Sequence, residues 1–272
     1  MLKKILMELV LFLDRQGSPE FSRRVHHKRN QLATVRPAPI EGLNDKLFKL
    51  GSFQGFIFDM DGLVLDTEPT YFAAWQQAVE TMGYQLEPDT FKTVSGLHYQ
   101  QVEAQLKAWL GQDFNLQAFK QLGTDYWRKH VREHGIAVKL GVIDLLDYAE
   151  QQGIPVCLAT NSWAVYARHC LAIAGLTQRF PLVVTGDEVE HVKPAPDIFL
   201  KAAERMQLDI HQCVIFEDSH TGIVAASKSG AYSTYVPSTF PINPLTVELC
   251  DCLLDDLTQV FETLPSQRTI RL

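Results

Sequence analysis

The feature that most constrains the fold is a regular alternation of strand-like and helix-like segments over residues 140–236. Short apolar runs predict strands, and longer amphipathic stretches between them predict helices. An earlier apolar run predicts one more buried strand. The predicted strands are, in order, FQGFIFDM, PVCLAT, PLVVTG, QCVIFED and YSTYV. Because strands that alternate with helices across short Gly/Pro loops form βαβ units, we predict an α/β fold with a Rossmann-like parallel sheet covered by helices.

A helical insertion separates the first predicted strand from the others. Helix-compatible stretches cover about residues 69–83, 99–111 and 115–134, and no convincing strand lies among them. A chain of 272 residues is long enough for one large domain or two modest ones. We therefore predict a core made of residues 51–69 and 136–272, and a small helical second domain at 70–135.

Residues 1–50 do not follow either pattern. MLKKILMELVLFLDRQ has the lysines and apolar residues of a signal peptide, but Glu8 interrupts it, no small-residue cleavage site follows, and it is too short to span a bilayer. The basic stretch after it is compatible with an organellar transit segment, a solvated tail or a start codon assigned too far upstream. We expect a poorly ordered extension that contributes no chemistry.

Charge and cysteine content exclude several classes of partner. The formal net charge of −7 argues against nucleic acid, whose phosphates require a basic face. The five cysteines form no CxxC pair and no zinc-type spacing, which predicts reduced thiols and a cytoplasmic location, with organellar import left open. We expect no membrane partner, and a monomer, although oligomeric state has no signature in the sequence.

Polar residues follow the predicted strands where ligands bind in doubly wound sheets, at the carboxyl ends. They are Asp59 and Asp61 after the first strand, Thr160, Asn161 and Ser162 after PVCLAT, Lys193 after PLVVTG, and Glu217 and Asp218 at the end of QCVIFED. Converging carboxylates repel each other unless they are neutralised, and a hard divalent cation with oxygen ligands does this most directly. The pattern therefore predicts a Mg²⁺ site.

A cation, a lysine and a hydroxyl group around one aspartate suit a phosphoryl group. Asp59 would attack phosphorus and form an aspartyl-phosphate, and Asp61 would act as general acid and base. Taken singly, each residue has a plainer explanation: a DxD pair or Glu217 with Asp218 can cap a helix, Thr160 with Ser162 can form an N-cap, and Lys193 can be a solvated loop residue. Their common placement at one sheet edge favours the catalytic interpretation.

Four motifs occur in the order FDMDGLVLDTE, LATNS, VKPAPDIF and EDSHTGIVAASKSGA. With these motifs the chain resembles, over about residues 53–260, the haloacid dehalogenase superfamily, subfamily IA, in the branch of β-phosphoglucomutase and the phosphosugar phosphatases. The resemblance implies that Asp59 is the nucleophile and a metal ligand, and that Asp61 also binds metal through its backbone carbonyl. It also implies that Thr160 and Asn161 bind phosphate and that Lys193 orients the nucleophile and the phosphate. Asp218 would hold Mg²⁺ with help from Glu217, and the helical insertion would be a cap domain. Ser162 is a further candidate for substrate binding.

Two positions depart from the mutase pattern. The mutase has a cap histidine where this chain has Tyr71, and a substrate-phosphate arginine where it has Tyr99. His98 and Tyr99 remain candidate substrate contacts. We therefore expect a Mg²⁺-dependent phosphomonoesterase acting on a small phosphorylated metabolite such as a sugar or polyol phosphate. A phosphosugar mutase is the alternative, and a non-catalytic phosphate-binding protein is a third possibility, disfavoured because a binder needs no acid/base aspartate.

Overall fold

The computed structural model describes residues 52–87, 89–94 and 99–263. The predictions for residues 1–50, for His98 and for the side chain of Tyr99 lie outside the described part. The core is a six-stranded sheet in the order β5-β4-β1-β6-β7-β8, and all of its neighbouring strands are parallel. Its strands are β1 (Gly55–Phe58), β4 (Val156–Thr160), β5 (Leu182–Thr185), β6 (Cys213–Glu217), β7 (Tyr232–Tyr235) and β8 (Cys252–Leu253). The predicted parallel α/β sheet is confirmed.

The central strands form because their sequences are continuous apolar runs. Every residue of β1, β4 and β6 is buried, as expected for parallel strands that are covered on both faces. On one face Phe58 stacks on Phe216 with ring centroids 5.1 Å apart. On the other face Ile57 and Ile215 belong to a second cluster that includes Phe199. The sheet therefore separates two hydrophobic cores.

Helices follow the strands as the alternating pattern predicts. They are α4 (Val142–Gln152), α5 (Ala164–Ile173), α6 (Asp197–Met206), α7 (His220–Ser229) and α8 (Pro244–Leu249). Short 3-10 segments lie at Gly186–Glu188, Ile210–Gln212 and Leu257–Thr263. Helix α6 contributes Ile198, Phe199, Ala202 and Ala203 to the second cluster, which fixes its register on the sheet.

The insertion is helical where it is described. It contains α1 (Glu68–Thr81), a 3-10 segment at Thr90–Val94, α2 (Tyr99–Leu110) and α3 (Leu116–His134). Helices α1 and α3 lie side by side: a Cβ at Gly123 of α3 would come within 3.1 Å of the Trp75 ring of α1. Glycine at this position therefore permits the close approach of the two helices.

The sequence did not reveal a second, two-stranded sheet. Strand β2 (Leu65–Asp66) pairs antiparallel with β3 (Ala137–Val138), so that Leu65 lies opposite Val138. Neither β2 nor β3 was predicted, and the two strands lie on either side of the helix-compatible stretches at about 69–134. Two residues are too few to show an alternating pattern. This small sheet joins the chain segments on either side of α1 to α3.

Within the described residues, none of the helices has the length and apolar character needed to cross a bilayer. All five cysteines are free thiols. Cys157 and Cys213 are fully buried in β4 and β6, where they pack as small apolar side chains.

Candidate active site

The predicted site residues meet at the carboxyl edge of three neighbouring strands. Asp59 directly follows β1, Thr160 ends β4 and Glu217 ends β6. Phe58 of β1 is in register with Leu158 of β4 and Phe216 of β6. The residues that follow these three positions therefore lie at the same edge of the sheet.

Lys193 is the centre of the cluster. Its Nζ donates to Oδ1 of Asp59 at 2.6 Å, to Oε1 of Glu217 at 2.6 Å and to the backbone carbonyl of Ala159 at 2.8 Å. The Lys193 side chain is only 3% exposed, so it is not a solvated loop residue. Burial opposes the charged ammonium, but Asp59 and Glu217 outweigh this effect and raise the pKa of Lys193. Lys193 is therefore a permanent buried cation.

Asn161 positions the loop that carries Lys193. Its Oδ1 accepts a hydrogen bond from the backbone N–H of Lys193 at 2.9 Å, and its Nδ2 donates to the Lys193 carbonyl at 3.3 Å. The Lys193 ammonium also lies 4.7 Å from the centre of the Phe199 ring. The side chain predicted to bind phosphate thus contacts the backbone of Lys193.

Glu217 is held from both sides. Its second oxygen, Oε2, accepts from the backbone N–H groups of Asp218 and Ser219 at 3.0 and 3.1 Å and from the Ser219 hydroxyl at 3.0 Å. A Cβ on Gly222 would overlap the Glu217 carboxyl group, since it would lie 1.8 Å from the carboxyl carbon. Glycine therefore lets the first turn of α7 lie directly against this carboxylate.

Asp59, Glu217 and Asp218 form a cluster with the geometry of a metal site. Their buried carboxylate oxygens lie within 4.8 Å of one another. Gly62 has a φ of +93°, and a Cβ there would lie 1.9 Å from Oδ2 of Asp218, so the turn after β1 requires glycine. Two of these three carboxylates, Asp59 and Glu217, are paired with the Lys193 ammonium. A set of hard oxygen donors with this charge fits Mg²⁺.

Hydroxyl groups from three of the described residues donate to Asp61. Its Oδ1 accepts from Oγ1 of Thr67 at 2.9 Å and from the hydroxyl of Tyr166 at 3.1 Å, and its Oδ2 accepts from Oγ of Ser162 at 3.3 Å. Thr67 lies within the first motif and could have been singled out there. Tyr166 is 105 residues away from Asp61, and no spacing in the sequence indicated it.

The helix-cap explanations do not account for these residues. The N-cap of α5 is Trp163, whereas Oγ1 of Thr160 accepts from the backbone N–H of Ser162 at 3.1 Å. The N-cap of α7 is Ser219, whose hydroxyl accepts from the backbone N–H of Gly222 at 3.0 Å. Thr160, Ser162 and Glu217 are fully buried at the sheet edge.

Comparison with known proteins agrees with this arrangement. The family model for haloacid dehalogenase-like hydrolases matches residues 56–236. Fructose-1-phosphate phosphatase YqaB of Escherichia coli is 33% identical over 178 residues, which cover 65% of this chain and 93% of the relative. The phosphorylated carbohydrates phosphatase of Thermotoga maritima is 31% identical over 182 residues, which cover 67% of this chain and 84% of the relative.

The fold is also found among solved structures. The crystal structure of β-phosphoglucomutase from Clostridium difficile superimposes with a TM-score of 0.58 at 20% sequence identity, covering 78% of this chain and 96% of that one. This likeness concerns the fold alone. The family match over most of the described residues, and the identity to two phosphatases over most of their length, show that the chain belongs to the haloacid dehalogenase-like hydrolases.

Proposed function

We propose that the protein is a phosphomonoesterase that hydrolyses small sugar or polyol phosphates through an aspartyl-phosphate on Asp59. The observation that carries the proposal is the buried ion pair between Asp59 and Lys193 at 2.6 Å, with Asp61 two residues beyond it at the same edge. The substrate class is supported by the relatives, whose names refer to fructose 1-phosphate and phosphorylated carbohydrates.

The chain's own residues supply the steps of the reaction. Lys193 orients Asp59, and a carboxylate oxygen of Asp59 bonds to phosphorus as the ester P–O bond breaks. Asp61 donates a proton to the leaving ester oxygen. It then accepts a proton from the water that attacks phosphorus, as the bond between phosphorus and Asp59 breaks to release phosphate and restore the carboxylate. The Thr160 hydroxyl and the Asn161 backbone N–H donate to the phosphoryl oxygens, while Lys193 offsets their charge.

A bound Mg²⁺ would neutralise the phosphoryl group and the carboxylates and so allow the two anionic groups to approach. In this proposal Asp59, Asp218 and the backbone carbonyl of Asp61 would hold it. Glu217 would support these ligands from behind, because its Oε1 already accepts from Lys193 and its Oε2 from the backbone N–H groups of Asp218 and Ser219, just before α7.

Residues 70–135 act as a cap domain over a core of residues 51–69 and 136–272 in this proposal. Support comes from Tyr71 of α1 and Trp127 of α3, which contact Tyr166 of the site. His98 and Tyr99 would contact the substrate from the cap. We further propose that the protein is cytoplasmic and monomeric and that residues 1–50 take no part in catalysis.

The proposal is tested by measuring phosphate release from a panel of sugar, polyol and nucleotide monophosphates. With Mg²⁺ we expect turnover of sugar or polyol phosphates, no turnover in excess chelator, and recovery when Mg²⁺ is added back. Ca²⁺ should restore activity poorly, because its longer and less regular coordination would misalign nucleophile and phosphorus. Full activity in excess chelator, or no release from any compound, would contradict the proposal.

The alternative is a phosphosugar mutase, which the shared fold permits. A mutase must shield its aspartyl-phosphate from water until a second sugar phosphate returns. Where the mutase has its cap histidine, this chain has Tyr71. Tyr71 is only 3% exposed and its hydroxyl donates to Tyr166. A tyrosine supplies no positive charge to a distant phosphate. Water is therefore the main acceptor in our proposal.

We accordingly expect β-glucose 1-phosphate with a trace of the 1,6-bisphosphate, if the sugar is accepted, to yield inorganic phosphate without appreciable glucose 6-phosphate. Both products are measured in the same reaction, by a phosphate assay and a coupled dehydrogenase assay. Formation of glucose 6-phosphate faster than phosphate release would establish the mutase instead.

A further inference from the structure

A buried chain of hydroxyl groups ends at Asp61. The hydroxyl of Tyr71 in α1 donates to the hydroxyl of Tyr166 in α5, which donates to Oδ1 of Asp61 at 3.1 Å. Tyr71 and Tyr166 are 3% and 1% exposed. The hydroxyl groups of these two tyrosines therefore lie away from bulk water. Both hydrogen bonds are donated in the direction of the Asp61 carboxylate.

The insertion helices hold the two tyrosines in place. The indole of Trp127 in α3 stacks on the Tyr71 ring with centroids 5.4 Å apart and planes within 10°, and its centroid lies 5.7 Å from that of Tyr166. Nε1 of Trp127 donates to Thr70 at 2.9 Å, and the Thr70 hydroxyl donates to the Thr67 carbonyl at 2.6 Å. The residue that supplies a second hydroxyl to Asp61, Thr67, is thus tied to the same helix pair.

Both tyrosine side chains are packed in the protein interior, and their hydroxyl groups bond to each other and to Asp61. A phenylalanine would fill the same space in either position, so packing alone does not require the two hydroxyl groups.

We propose that Tyr166, supported by Tyr71, is a positioning residue that fixes the acid/base carboxylate of Asp61. The inference rests on the proposed function and adds to it a role for two residues outside the four motifs. Asp61 must serve the leaving oxygen and then the attacking water from one location. Tyr166, itself held by Tyr71, donates to Oδ1 while Ser162 donates to Oδ2, which fixes the plane of the carboxylate.

The test compares four variants by kcat and KM on the best substrate of the panel. Tyr166→Phe should lower kcat about 10- to 100-fold with KM little changed, since it removes a hydrogen bond to a charged group that acts after substrate binding. Tyr71→Phe should lower kcat about threefold, through weaker polarisation of Tyr166. The double variant should be no slower than Tyr166→Phe, because Tyr71 acts only through Tyr166.

Tyr126→Phe is the matched control. It removes a tyrosine hydroxyl from α3 that is hydrogen-bonded to Thr81 at 2.8 Å on the exposed side of the helix, and it should leave kcat unchanged. Folding of every variant is checked by its thermal unfolding midpoint. If Tyr166→Phe does not fold, the kcat of Tyr71→Phe alone tests the inference.

The inference is overturned if Tyr166→Phe, or Tyr71→Phe where it decides alone, keeps wild-type kcat. It is also overturned if the two single effects add fully in the double variant, or if the loss lies in KM. An inactive wild-type enzyme would overturn the proposed function and this inference with it. An active wild type with unaffected tyrosine variants would overturn the inference alone.

Discussion

Asp59→Asn should abolish phosphate release and leave the fold intact. The amide oxygen of asparagine can still accept the hydrogen bond from Lys193, which Asp59 accepts at 2.6 Å. An amide is too weak a nucleophile to attack phosphorus, so kcat should fall on the order of 10⁴-fold or more. Steady-state phosphate release, with the thermal unfolding midpoint as a measure of folding, checks this result.

Asp144→Asn provides the control for that substitution. Asp144 is exposed in the first turn of α4, far from Asp59 in sequence, and the same chemical change there should leave kcat as in the wild type. Activity of Asp59→Asn within tenfold of the wild type would remove Asp59 from the role of nucleophile.

Lys193→Met should destabilise the protein and also inactivate it. Methionine has similar length but supplies no charge and no donor, so the buried carboxylates of Asp59 and Glu217 lose their common partner. Removing one partner of a buried ion pair costs about 3–5 kcal/mol of the free energy of unfolding. Denaturant unfolding measures this loss, and phosphate release measures the loss of activity.

Two further variants separate charge from geometry. Lys193→Arg keeps the positive charge and should recover part of the stability, but its planar guanidinium does not reproduce the three contacts of Nζ, so activity should stay low. Lys228→Met, at an exposed lysine that contacts the carbonyl of the neighbouring Pro194, should behave as the wild type. Unchanged stability in Lys193→Met would show that the two carboxylates do not depend on this lysine.

The sheet could be predicted because its strands are buried on both faces. Fully buried parallel strands such as β1, β4 and β6 appear in the sequence as unbroken apolar runs. Glycine, proline and polar residues mark the ends of these runs. Strands β2, β3 and β8 have two residues each, and their existence depends on pairing partners far along the chain. The order of the strands also depends on tertiary packing that no local pattern records.

The sequence was enough to predict which residues come together at the site. It was not enough to predict the contacts of each side chain. The parallel topology by itself brings Asp59, Thr160 and Glu217 to one edge. The direction of a side chain depends on neighbours distant in sequence, such as Lys193 for Asn161, 32 residues away, and Asp61 for Tyr166, 105 residues away. For this reason the hydrogen bonds between Asn161 and the lysine backbone and the hydroxyl groups around Asp61 emerged only from the structure.

The central claim is that Asp59 becomes phosphorylated during turnover. The most direct measurement is a rapid acid quench of the enzyme with a ³²P-labelled sugar phosphate that the panel has shown to be a substrate, followed by identification of the labelled peptide. The account predicts transient label on the peptide that contains Asp59, and none on the same peptide of Asp59→Asn. Phosphate release at the wild-type rate with no labelled enzyme at any quench time, or label on another residue, would contradict it.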